Sequence, residues 1–102
     1  MGMTEEGVSF SPETYARLRA GGFHLRQLRE SREITSAELA EHLLNATEAF
    51  VTDVEAGRLR LPSEQMSRWA MALGVRRDVL ADALGRLYDP LPFDSFWAKA
   101  AA

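Results

Sequence analysis

Apolar side chains recur along this chain at three- and four-residue spacing, in short runs that glycine, proline and capping residues keep interrupting. No run alternates with the period of two that a half-buried strand needs, so the pattern points to several short amphipathic helices and no sheet. A first helix starts at Ser11, with Pro12 in its first position and Glu13 in its first turn. Tyr15, Leu18 and Arg19 line one face of it, and Gly21-Gly22 is expected to stop it. A second helix runs over 23–31, with Leu25 and Leu28 one turn apart and Arg26, Arg29 and Arg32 largely on other faces. Thr35 and Glu38 have the spacing of a capping box, in which the hydroxyl accepts from the Glu38 amide and the carboxylate reaches back to the Thr35 amide. They open a helix over 36–43 with Leu39, Ala40 and Leu43 inward.

After a turn at Leu44-Asn45-Ala46, the next helix reaches Ala56, capped by Asn45 or by Thr47. Val51 and Val54 form its buried stripe, Phe50 precedes Val54 by one turn, and Gly57 ends it. Pro62-Ser63 begins a helix carrying Met66, Trp69, Ala70 and Leu73 as far as Gly74. A last helix covers 77–87, with Val79, Leu80, Ala83, Leu84 and Leu87 apolar, before Asp89-Pro90-Leu91-Pro92 breaks it. The expected fold is all-α, a compact bundle of five to six helices containing a helix-turn-helix.

The length of 102 residues suits one domain, and the 46% hydrophobic and 26% charged composition is that of a globular chain. Residues 1–10 read as an arm, 11–88 as the helical domain, and 89–102 as a tail carrying Phe93, Phe96 and Trp97. There is no cysteine, which excludes disulfides and thiolate metal sites. His24 and His42 stand on different helices, which speaks against a metal centre. No leader and no apolar run of membrane-spanning length is evident, so a cytoplasmic, membrane-free protein is expected. No nucleophile turn and no glycine-rich phosphate loop is present, so neither an enzyme nor a bound cofactor is expected.

Four stretches together resemble the Cro/repressor-like helix-turn-helix family, also called the xenobiotic-response-element family. They are Leu25-Arg26-Gln27-Leu28-Arg29, Ile34-Thr35 with Glu38-Leu39-Ala40, Val54-Glu55-Ala56-Gly57-Arg58, and Trp69-Ala70 with Leu73-Gly74-Val75. The small Ala40 suits the close crossing of two short helices. The resemblance covers about half the chain and implies a homodimeric transcriptional regulator bound to double-stranded DNA. It also implies a structural ion pair between Glu55 and a first-helix arginine, Arg29. The chain departs from the family in three places. It has one residue more between Ala40 and Glu55, and one fewer between Pro62 and Ala70. Ser36 stands where the family often has a DNA-contacting glutamine.

On that reading the helix over 45–56 enters the major groove with Glu48, Ala49, Thr52 and Asp53 nearest the bases. Ser36, Arg26, Arg58 and Arg60 hold the backbone. The charge is unusual, because no basic residue lies between Thr47 and Ala56 and the net charge is −3. Carboxylates facing phosphates are repelled unless they accept from a base donor such as the cytosine amine. Solvated loop arginines and a solvated acidic helix face are the plain alternatives. A second expectation therefore stands beside the first: a helix-turn-helix adaptor for protein partners, such as an antitoxin, an anti-repressor or a polymerase accessory. Phe93, Phe96 and Trp97 are the expected interface, whether by self-packing, in a dimer or with a partner.

Overall fold

A computed structural model describes residues 12–89. The arm over 1–10 and the tail residues Phe93, Phe96 and Trp97 lie outside the described residues. Five α-helices follow one another, α1 (Pro12–Ser31), α2 (Ser36–His42), α3 (Glu48–Glu55), α4 (Met66–Leu73) and α5 (Arg77–Tyr88), with a 3-10 turn at Ser63–Gln65 leading into α4. No strand occurs among the described residues. The fold is a small all-α bundle. Helix α1 packs against α3 and α5, α2 against α3 and α4, and α4 against α5.

The expected break at Gly21-Gly22 is absent, and α1 is one 20-residue helix. Both glycines are there for close approach. A Cβ on Gly21 would overlap the Tyr88 ring, and one on Gly22 would overlap the backbone carbonyls of Val54 and Glu55. Each glycine costs a helix interior about 1 kcal/mol relative to alanine. Packing of α5 and of the end of α3 directly on α1 offsets that cost.

The capping box at the start of α2 is formed, with the Glu38 amide donating to Thr35 Oγ1 at 3.0 Å and the Thr35 amide to the Glu38 carboxylate at 2.8 Å. Of the two possible caps for α3, the cap is Thr47, whose hydroxyl oxygen accepts from the Phe50 amide at 3.1 Å. Asn45 instead makes the turn, in the left-handed region at φ 59°, which asparagine tolerates better than most side chains. Gly57 ends α3 at φ 82°, and a Cβ there would also lie 2.6 Å from Arg19 Cγ.

The core lies where the five helices meet. Leu25, Leu39, Val51, Val54 and Trp69 are fully buried, and burying each leucine or valine contributes about 1.5–3 kcal/mol. Phe50 meets the Trp69 ring edge-on, centroids 6.4 Å apart at 74°. Tyr88, beyond the expected end of the last helix, closes the core from below: its hydroxyl accepts from the Leu61 amide at 3.2 Å. Burial holds its phenol above the usual pKa. Among the described residues no helix is long and apolar enough to cross a membrane.

Candidate nucleic-acid interface

Helices α2 and α3 are joined by a turn over 43–47, and two side-chain contacts hold them, one between the starts of α2 and α3 and one between the end of α3 and α1. At the first, Ser36 Oγ, in the opening position of α2, donates to the Glu48 carboxylate, in the opening position of α3, at 2.9 Å. At the second, Arg29 makes two bonds to the Glu55 carboxylate, Nε at 2.7 Å and Nη2 at 3.1 Å, while Nη1 donates to the Ile34 carbonyl at 2.8 Å. The Glu55 bond raises the Arg29 pKa above its already high value. With side chains 12% and 7% exposed, this pair is structural: its donors and acceptors are spent inside the protein.

The outer face of α3 is uncovered by any other described element. Glu48 and Ala49 are exposed, and Thr52 and Asp53 are partly so. The Thr52 hydroxyl donates to the Ala49 carbonyl at 3.0 Å, which leaves its oxygen able to accept but commits its proton. Asp53 accepts from Arg58 Nε at 2.7 Å, and its backbone carbonyl accepts from the Arg58 and Leu59 amides at 2.9 and 3.3 Å. The loop leaving α3 is thus folded back over the helix end.

Arg26 and Arg58 line one shallow depression with Arg29, Thr52, Glu55 and Ala56, so these two expected backbone contacts fall side by side. Each already faces a carboxylate: Arg26 Nε bonds Glu30 at 2.9 Å, and this bond holds the Glu30 carboxyl below its usual range. Arg60 is elsewhere. It bonds Asp89 and lies over the Tyr88 ring, 4.8 Å from its centroid. Asp89 is pushed below the usual carboxylate range by that bond. Arg60 therefore clamps the loop after α3 to the end of α5, and does not join the Arg26–Arg58 group. This corrects the grouping expected from sequence.

Arg19 is the residue the sequence reading missed. Expected on one face of the first helix with Tyr15 and Leu18, it is exposed and lies against Gly57, beside the same end of α3. It makes no ion pair among the described residues. Arg19 and Arg26 are seven residues apart and share a helix face only if α1 is continuous. The glycine pair hid that signal. Comparison of the chain with protein-family models, with curated proteins and with solved structures returned no match.

Proposed function

We propose that the protein is a sequence-specific DNA-binding transcriptional regulator that presents the outer face of α3 to the major groove as a homodimer. The observation that carries this reading is a rigid pair of short helices whose second member is uncovered and flanked by three exposed arginines, Arg19, Arg26 and Arg58. Ala49 and Thr52 have the size to touch a thymine methyl, and Asp53 or Glu48 to accept from a cytosine amine. The arginines hold phosphates beyond the helix end. In a two-fold dimer the half-sites lie about 34 Å apart, one turn of the duplex.

Selection from a random duplex pool by the full chain at low salt tests the proposal. A partly palindromic consensus is expected, with affinity lost uniformly across sequences in Arg19→Glu/Arg26→Glu/Arg58→Glu. The logarithmic salt slope should flatten by about one unit per arginine. Absence of any retained duplex at low salt would overturn it.

One observation favours an adaptor for protein partners instead. Neither α2 nor α3 carries an arginine or lysine, and both Arg26 and Arg58 are already engaged by Glu30 and Asp53. On that reading the acidic face of α3 meets a basic protein surface, and the same selection yields nothing.

A further inference from the structure

A second concave surface lies away from α3 and includes none of its residues. It is a half-open groove of about 720 Å³ between the end of α1, the end of α2 and the outer side of α4. Its apolar lining is Ile34 and Ala72, both half-buried, and Met71, which is 82% exposed. Two cations, Arg32 and Arg68, line it with His42 and a single acid, Glu64. Arg32 and Arg68 make no ion pair among the described residues, unlike Arg26, Arg29, Arg58 and Arg60.

Arg32 is held in place. Gly74, which ends α4 at φ 74°, leaves room for its guanidinium, and a Cβ there would lie 2.6 Å from Nη1. The charge therefore rests against the C-terminal end of α4, where the helix dipole favours a cation, at the edge of the groove. A positioned cation beside an exposed thioether is a surface with two unmet demands. Carboxylates satisfy one, and an aliphatic or aromatic side chain satisfies the other.

We propose that this groove docks an acidic, apolar peptide segment of a partner protein, its carboxylates on Arg32 and Arg68 and its apolar side chain over Met71, Ile34 and Ala72. Charge complementarity selects this occupant. A nucleic acid would answer the arginines and leave the apolar lining wet, and a basic segment would face like charge. The site is separate from the α3 face and stands whichever partner α3 has.

Panning a random dodecapeptide display library on the immobilised full chain tests it. Enriched peptides should combine Asp or Glu with Leu, Phe, Met or Trp. A synthetic member should bind Arg32→Glu/Arg68→Glu and, separately, Met71→Lys at least about 10-fold more weakly. All three side chains are exposed, so both variants should stay folded, with Arg32→Glu melting slightly lower because an acid then faces the end of α4. A peptide with lysines for its acids should not bind. No enrichment, or equal binding by both variants, would overturn the proposal. So would nuclear Overhauser contacts from Trp97 to the Met71 methyl in the uncomplexed chain, because the chain would then fill its own groove.

Discussion

Between α1 and the end of α3 the carbonyls of Val54 and Glu55 come so close to Gly22 that any Cβ would overlap them. At Gly21 the obstacle is the Tyr88 ring, a side chain, though one pinned by burial and by the Leu61 amide. Backbone yields less readily than a ring. Gly22→Ala should therefore lose about 1–3 kcal/mol of stability through overpacking, even though alanine favours a helix interior by about 1 kcal/mol. Gly21→Ala should lose less. Urea unfolding midpoints measure both, and a stabilised Gly22→Ala would show that the helices are not in contact there. The same glycines explain the main error in reading the sequence. Two adjacent glycines signal a helix end when nothing is known of what lies opposite, and local spacing carries no record of a neighbour from residues 54, 55 or 88. Gly57 and the Thr35–Glu38 box were legible because their causes are local: a left-handed residue at a helix end, and two side chains that cap within one turn.

Helices α1, α2 and α3 depend on one ion pair more than on any other polar contact between them. Glu55 has its side chain 7% exposed and receives two bonds from Arg29, which also reaches the Ile34 carbonyl between α1 and α2. Removing one partner strands a desolvated charge. Arg29→Met should cost about 3–5 kcal/mol, whereas Arg29→Met/Glu55→Leu should recover most of the loss, because a buried pair replaced by apolar groups is often neutral. Thermal unfolding of the two single variants and the double variant forms the cycle, and additive losses would refute the coupling. The helices themselves were readable from apolar spacing and caps, whereas this pair was expected only through the family resemblance. What the spacing could not supply was the phase of one element on another. Arg60 lies only two residues from Arg58, yet the chain turns between them and hands Arg60 to Asp89 and Tyr88 on the far side of α1.

That clamp joins the loop after α3 to the last helix, and its acid sets a pH limit on the whole bundle. Arg60 lowers the Asp89 pKa below 3.8, its ordinary value, in the folded state. The contribution is therefore complete above that value and is lost as pH falls through the lower, folded one. Since both side chains are about half exposed, at 52% and 40%, it amounts to about 0.5 kcal/mol. Asp89→Asn should remove that part of the acid sensitivity and leave stability at high pH lower by the same amount. Stability curves of the two chains that stay parallel through the acid range would show the clamp absent in solution.

Along α2 and α3 the balance of charge decides what the molecule can approach. Helices α2 and α3 hold Glu38, Glu41, Glu48, Asp53 and Glu55 and no arginine or lysine. Glu38 is absorbed by capping and Glu55 by Arg29. Of the three that remain, Asp53 lies on the outer face of α3 and also holds Arg58, at 2.7 Å. If a duplex binds there, Asp53 opposes it twice, by repelling phosphates and by occupying the guanidinium that would neutralise one. Asp53→Asn should then tighten binding to non-cognate duplex several-fold at low salt and steepen the logarithmic salt slope by up to about one unit, the value of one added phosphate contact. The gain should vanish when Arg58→Gln is combined with it, since the freed cation is its source. Fluorescence anisotropy titrations across a salt series read both quantities. If Asp53→Asn leaves affinity and slope unchanged while Arg19→Glu weakens binding, the duplex lies along α1 and not against α3. If neither variant has any effect, the acidic face of α3 is turned toward protein.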